Sequence, residues 1–319
     1  MSAVDIVLIG RNEGARLVAA LASLPGQARQ VVYVDSGSTD SSVAEARRAG
    51  AQVVELDMSV PFTAARARNA GFAALTDPDF VMFVDGDCTL VPGFVSAAVA
   101  HLSRHPELAL VTGWRSEIHR DSSIFNQLCD FEWRRPVGRI LGCGGDMLVR
   151  AEAFRHVGGF GDSIIASEDE EFGTRLRKAG WALERLPLEM TRHDADMHRF
   201  GQWWRRAVRT GHGFAHVGHL HPDYFARERQ RVLAYALVLP LLSLALALVS
   251  PWLLLVPLAI YALNYLRTQQ GLRRAGLPKR EARQHALFIA LSKFPNLVGM
   301  ATYHLRRLRN AQMRIIEYK

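Results

Sequence analysis

Asp85 and Asp87 stand one residue apart in VMFVDGDCTL, directly after the apolar run Val81–Val84. Paired carboxylates just past a strand end can approach a hard divalent cation. Mg²⁺ and Mn²⁺ prefer carboxylate oxygens and keep positions open for phosphate. Gly86 lets the chain turn there without a side chain in the way, although Asp and Gly also make ordinary turns. More carboxylates follow other apolar runs: Glu13 beside Asn12 in LIGRNEG, and Asp35 in VVYVDSGSTD. Clustered like charges repel unless a cation or donors neutralise them. The segment SEDEEFGTRLRK carries acids at each of positions 168 to 171. Ser167 would cap a helix there, with acids against the dipole, yet the run holds more acids than capping requires.

The elements that must position these groups alternate along the front of the chain. Apolar runs at 4–10, 30–35, 51–56, 80–87 and 108–113 read as strands. Segments 13–24, 42–49, 62–75 and 91–105 read as helices, stopped by Pro25-Gly26 and Gly50 where those residues follow. This βα alternation predicts a doubly wound, mostly parallel α/β sheet. In such a sheet ligands sit beyond the carboxyl ends of the strands, where Glu13, Asp35, Asp85 and Asp87 all fall.

Net charge is +8 over 319 residues, but the balance is −7 up to residue 198 and +15 beyond it. A basic back half fits nucleic acid or an anionic membrane surface. Hydropathy favours the membrane and gives no reason to invoke nucleic acid. From Val232 to Leu266 no residue is charged, and roughly 20 apolar residues span a bilayer core. Ser250-Pro251 is the natural turn, and Arg227, Arg229, Arg231 and Arg267 flank the run. Positive flanks stay cytoplasmic, so a transmembrane hairpin at about 232–266 is expected. A third apolar stretch, about 284–305, contains Lys293 and Pro295 and reads as interfacial or re-entrant. The expected organisation is a catalytic domain over 1–215 and a membrane region over 216–319. Cys88, Cys129 and Cys143 have no metal or redox spacing, which fits a reducing compartment. The N-terminus lacks the layout of a cleavable export signal.

IGRNEG, VVYVDSGSTDSS, AARARNAGFAAL, VMFVDGDCTL, GCGGDMLVRAEAFRHVGGF, SEDEEFGTRLRKAGW and the RHD around His193 occur in this order. Together, over roughly residues 3–215, they resemble family 2 glycosyltransferases with the GT-A fold. The resemblance implies that Asp35 contacts the base of a nucleotide-sugar, with Asn12 and Glu13 at the nucleoside and Arg68 near base or phosphates. It implies a Mg²⁺ or Mn²⁺ ion on Asp87, with Asp85 near the ribose or sharing the metal. His193, with His198 as nearby competitor, reaches metal or phosphate. Asp169 is the implied general base and Glu168 orients the acceptor. Gly144 and Gly145 let backbone approach a sugar, and Asp146, an implied acceptor or diphosphate contact, stands where many relatives carry Asn or Ala. Gln202, Arg205 and Arg206 give Q-x-x-R-R where membrane members carry Q-x-x-R-W. Arg205 and Arg209 share a helical face that could hold a diphosphate or a lipid-linked acceptor.

The resulting expectation is a metal-dependent, inverting glycosyltransferase on the cytoplasmic face of the inner membrane. It would take a nucleotide-sugar, with a UDP-sugar favoured, and a lipid-linked or glycolipid acceptor in polysaccharide or glycolipid assembly. A nucleotidyltransferase would want a lysine near the first strand, which LIGRNEG lacks. A catalytically inactive membrane scaffold is harder to square with intact Asp85, Asp87, Glu168 and Asp169.

Overall fold

The computed structural model describes residues 4–318. The chain forms two compact units divided between Asp196 and Met197, with Met313–Ile315 grouped with the first. The strands of the first unit are β1 (Val4–Gly10), β2 (Gln30–Asp35), β3 (Gln52–Glu55), β4 (Phe80–Asp85), β5 (Cys88–Leu90), β6 (Leu108–Glu117), β7 (Gly138–Arg139), β8 (Met147–Arg150) and β9 (Ala182–His193). Its helices are α1 (Ala15–Ala22), α2 (Ser42–Arg48), α3 (Ala64–Ala73), α4 (Phe94–Arg104), α5 (Ile124–Trp133), α6 (Ala151–His156) and α7 (Glu168–Lys178).

One sheet runs β3-β2-β1-β4-β8-β6-β9-β5, with β7 paired to β9. The run β3-β2-β1-β4 is wholly parallel, and so is the β6–β9 pair. Strand β8 joins these runs antiparallel to both β4 and β6, so the sheet is mixed at its centre. Simple βα alternation does not predict β8, because MLVR is short and follows a glycine-rich loop. Side chains alternate across the pleat and build a core on each face. Ile6, Leu8, Tyr33, Met82 and Val84 pack with Leu17 of α1 and Leu102 of α4. Val7, Ile9, Val32, Val34, Val81 and Phe83 pack with Ala67 of α3 and Phe172 of α7. Both faces are covered, which is why β1 and β4 read as continuous apolar runs.

The second unit is helical: α8 (Phe200–Leu220), α9 (Ala226–Leu233), a π turn (Ala234–Val238), α10 (Leu239–Val249), a 3₁₀ turn (Pro251–Leu254), α11 (Leu255–Arg274), α12 (Lys279–Leu291) and α13 (Lys293–Leu308). The expected boundary at residue 215 falls inside α8, which is unbroken. Two arms do meet at Ser250-Pro251, but only Ala226–Val249, among the described residues, is long and apolar enough to cross a membrane. Helix α11 misses because Asn264, Arg267, Gln269 and Gln270 make it polar from its middle onward, before it reaches Arg273 and Arg274. Helix α13 lies against α8: a Cβ on Gly299 would collide with the Val208 carbonyl oxygen, and one on Gly211 with that of Asn296. That close approach occupies the face of α13 bearing Asn296, Gly299 and Met300.

Candidate active site

The parallel register sets Gly10 beside Asp35 and Ile9 beside Asp85, so the loops after β1, β2 and β4 open at one edge. Asn12 has φ +55°, a left-handed conformation that Asn tolerates better than most side chains. Its Oδ1 accepts the Thr39 N–H at 2.7 Å, and its own N–H donates to Ser38 Oγ at 2.9 Å. Asp35 is 2% exposed. It accepts the N–H groups of Gly37 (2.9 Å) and Ser38 (2.8 Å) and the Tyr33 hydroxyl (3.0 Å). Burial first, then the Asp35 charge, raises the Tyr33 pKa and keeps that hydroxyl a donor. Asn12 and Asp35 thus shape the two loops, and Glu13 pairs with Arg16 at 3.0 Å.

Asp85 sits between two guanidinium groups. Arg68 Nη2 donates to Oδ1 at 2.7 Å and Arg115 Nη2 to Oδ2 at 3.2 Å. Burial would raise the Asp85 pKa, but Arg68 and Arg115 outweigh it and hold it below the usual carboxylate range. Arg68 is 1% exposed, and its Nη1 donates to Glu168 Oε1 at 2.7 Å. Both terminal nitrogens of the Arg68 guanidinium are thus engaged by carboxylates. Arg115 also pairs with Asp146 Oδ2 at 2.7 Å. Asp146 accepts the Asp85 N–H (3.0 Å) and the Thr191 hydroxyl (2.6 Å) and is buried. It therefore supports Asp85 from below, in place of the acceptor contact expected of it. Gly144 has φ +110°, and a Cβ on Gly145 would stand 2.6 Å from Asp85 Oδ2 and 2.9 Å from Arg68 Nη2. Gly145 therefore makes room for the Arg68–Asp85 contact, and Gly144 supplies the left-handed turn before it.

Asp87 Oδ2 lies 3.2 Å from His193 Nε2, and His193 Nδ1 lies 3.6 Å from Glu117 Oε2. The imidazole packs edge-on against Trp133, with centroids 4.6 Å apart. Among the described residues, two groups, Asp87–Cys88–His193 and Asp85–Cys88–Asp146, bring ligand-type atoms within 4.8 Å of one another. The second suits a cation poorly, because Asp85 and Asp146 already share Arg115. Burial also raises the Cys88 thiol well above its ordinary value, so it stays neutral. Asp87 and His193 offer a carboxylate and an imidazole at the rim, a donor pair that fits Mn²⁺ or Mg²⁺ with remaining positions for oxygen ligands. Asp85, expected to share the metal, is committed to arginine. His193 is the histidine on Asp87; the His198 N–H instead donates to Gln202 Oε1 at 2.9 Å.

Helix α7 opens on the acidic run. Glu168, Glu170 and Glu171 are buried, while Asp169 is half-buried. Glu170 receives Arg135 at 3.0 Å and Glu171 receives Arg175 at 2.8 Å. Burial, then the charges of Glu170 and Glu168, push Asp169 up to about 7 against the opposing pull of Arg68 and Arg135. A half-buried carboxylate with that affinity for a proton is suited to general-base work near neutrality. Ser167 is not the expected side-chain cap: it adopts φ +59° and makes no capping hydrogen bond. Left-handed non-glycine backbone of this kind costs of order 1–3 kcal/mol and gathers at functional sites.

The sequence reading missed Arg115, Glu117, Trp133 and Arg135. Strand β6 continues through GWRSE to Glu117 rather than ending at Gly113. The available signal was another apolar strand running into charged residues, as VMFVDGD does. In the second unit Gln202 caps α8 by accepting the N–H groups of His198 and Arg199, Arg205 is exposed, and Arg206 and Arg209 are half-buried.

The family model for glycosyl transferase family 2 matches residues 5–142, and that for glycosyl transferase family group 2 matches residues 80–291, more than half of the chain. A pre-mycofactocin glycosyltransferase of Mycobacterium tuberculosis is 29% identical over 235 residues, covering 69% of this chain and 48% of that protein. A TPR repeat-containing protein of Synechococcus elongatus is 26% identical over 200 residues, covering 60% of this chain and 42% of that one. The chain therefore spans about half the length of the curated relatives it matches. Among solved structures, the mannosyltransferase PcManGT of Pyrobaculum calidifontis, in complex with GDP-Man and Mn²⁺, superposes with a TM-score of 0.56 at 18% identity, covering 96% of this chain and 87% of its own. S. aureus TarS 1-349 does so with a TM-score of 0.51 at 16% identity, covering 95% and 91%. At these identities the structures carry the fold, and the family models carry the membership: the chain belongs to glycosyltransferase family 2.

Proposed function

We propose that the chain transfers a sugar from a nucleotide-sugar to an acceptor hydroxyl with inversion at the anomeric carbon. One observation carries this reading. Arg68 bonds both Asp85 and Glu168 at 2.7 Å; Asp85 is the first aspartate of the D-x-D turn, and Glu168 directly precedes Asp169. The acidic turn and the base-bearing helix end therefore meet at one guanidinium. Asp169 takes the acceptor's proton as that oxygen bonds to the anomeric carbon. The bond from that carbon to the diphosphate breaks, and the nucleoside diphosphate leaves with its electron pair. A divalent cation, Mg²⁺ or Mn²⁺, held by Asp87 and His193 would supply Lewis acidity to that leaving group. Asn12, Glu13, Asp35 and the Gly144–Gly145 turn border the nucleotide, and a uridine donor is the favoured choice. The PcManGT complex with GDP-Man and Mn²⁺ supports a nucleotide-sugar donor with a metal, and TarS 1-349 in complex with UDP-GlcNAc, with a TM-score of 0.50, supports the same donor class.

The acceptor on this reading is lipid-linked, and the catalytic unit works at the cytoplasmic face of the inner membrane. Support comes from the exposed apolar side chains of Ala226–Val249, its basic flanks and the exposed Trp252. Helix α8, with Arg205, Arg206 and Arg209, is the proposed meeting place for a diphosphate-bearing acceptor. The test is release of free nucleotide by the detergent-purified full chain across a panel of nucleotide-sugars, with and without Mn²⁺. Turnover on at least one donor, lost in Asp87→Ala and Asp169→Asn, is the expected result. No release from any donor overturns the reading.

A further inference from the structure

We propose that Arg68 is a positioning residue that couples the donor side of the site to its base side, holding Asp85 and the N-terminus of α7 in one geometry. The inference rests on the glycosyl-transfer reading above. Arg68 projects from α3, whereas its partners come from the end of β4 and the start of α7. It bonds each partner through a different terminal nitrogen at 2.7 Å, and its guanidinium lies 5.5 Å from the centre of the Phe160 ring. A planar fork can hold two carboxylates at a fixed separation, which the single ammonium of lysine cannot do. Burial at 1% exposure means the clasp is not diluted by water, and losing either carboxylate would leave a buried charge without its partner. The chain makes room for it with Gly145, where a Cβ would meet both Asp85 and Arg68. Arg115 grips the other oxygen of Asp85, so a displacement of Arg68 would tilt Asp85 and shift the opening turn of α7 together.

Titratable groups from several elements act on Asp169. Glu168 and Glu170 lie on its own helix, Arg68 comes from α3, Arg135 follows α5, and the buried Cys143 thiol faces it from the loop before β8. Taking Arg68 away leaves Arg135 as the remaining cation among them, so Asp169 holds its proton to higher pH.

Arg68→Met and Arg68→Lys in the full chain separate coupling from simple contact. The readouts are kcat against pH, donor KM, and Mn²⁺–nucleoside diphosphate binding by calorimetry. Arg68→Met is expected to lower kcat by about 100-fold, the scale of a misplaced reacting group, and to move the rising limb of the pH profile upward. Arg68→Lys is expected to restore the limb but not kcat, because it returns the charge without the fork. Should Arg68→Met fail to fold, Arg68→Met/Glu168→Gln removes the buried charge pair together and is expected to show low kcat with nucleotide still bound. A raised donor KM with unchanged kcat and limb in Arg68→Met overturns the coupling, as does Arg68→Lys with wild-type kcat. A wild-type chain that binds nucleotide but turns over no donor overturns the underlying reading instead.

Discussion

His193 Nε2 stands 3.2 Å from Asp87 Oδ2, joining the last residue of β9 to the turn after β4. Strand β5, beginning at Cys88, pairs with β9 in a register that opposes Cys88 to His193, so the backbone itself delivers the imidazole to the acidic turn. If this pair holds the cation, Asp87→Ala and His193→Ala each weaken Mn²⁺ binding by at least about 100-fold, since loss of an outer partner alone costs roughly 10–100-fold. Asp85→Asn, with its carboxylate on arginine, leaves Mn²⁺ affinity within about 10-fold. Electron paramagnetic resonance titration of Mn²⁺ checks all of them, and equal losses in Asp85→Asn and Asp87→Ala would reassign the ligands.

Asp169 is pushed up to about 7 by burial and its acidic neighbours. If Asp169 is the base, it must be ionised to act, so turnover rises with pH and levels off above that value. Asp169→Asn removes the limb and lowers kcat by about 10²–10⁴-fold. Stability runs the other way. A carboxyl that binds its proton more tightly when folded contributes stability below the ordinary carboxyl range, and that contribution is lost as pH rises through about 7. Thermal unfolding across pH should therefore show a shallower decline in Asp169→Asn.

Gly145→Ala would set a methyl 2.6 Å from Asp85 Oδ2. Overpacking of this kind costs about 1–3 kcal/mol, and here it falls on the Arg68–Asp85 contact. The expected outcome is a drop in nucleotide affinity larger than any drop in melting temperature. Calorimetry beside a thermal melt decides, and unchanged affinity would refute the crowding.

Asp146→Ala strips Arg115 and Thr191 of a buried partner. Breaking a buried ion pair from one side costs about 3–5 kcal/mol, so the melting midpoint should fall markedly. Exposed pairs such as Arg47–Glu55 should show almost no loss when cut, and the contrast between the two variants is the measurement.

Leu244 and Leu248 are exposed at 63% and 83%. Should Ala226–Val249 enter a bilayer, Leu244→Lys/Leu248→Lys would oppose insertion by about 2.5–3.5 kcal/mol for a charge at mid-helix. Co-sedimentation of the full chain with phosphatidylglycerol vesicles should fall sharply in the double variant. A wild-type chain that stays in the supernatant contradicts membrane attachment.

The acidic turn was legible because VMFVDGD places carboxylates at the end of a run too apolar to be anything but buried. The same logic marked Asp35. Arg115 and Glu117 escaped because GWRSE follows a glycine that looks like a strand's end, and only pairing with β9 carries β6 onward to Glu117. Ser167 misled for a related reason: composition reports a serine before acids, but not the left-handed backbone that turns its hydroxyl away from capping.

By itself the sequence determined the strands β1 to β4 and the start of β6, the chemistry-bearing ends of β1, β2 and β4, and the family motifs, because burial and turn chemistry are written in local residue types. Only the tertiary structure decided which carboxylates face cations. Asp85, Asp87 and Asp146 differ little as residue types, yet Asp85 and Asp146 share Arg115 while Asp87 meets His193. That division depends on residues far apart in the chain converging across the antiparallel β8 and the long β9, and no local pattern encodes such a convergence.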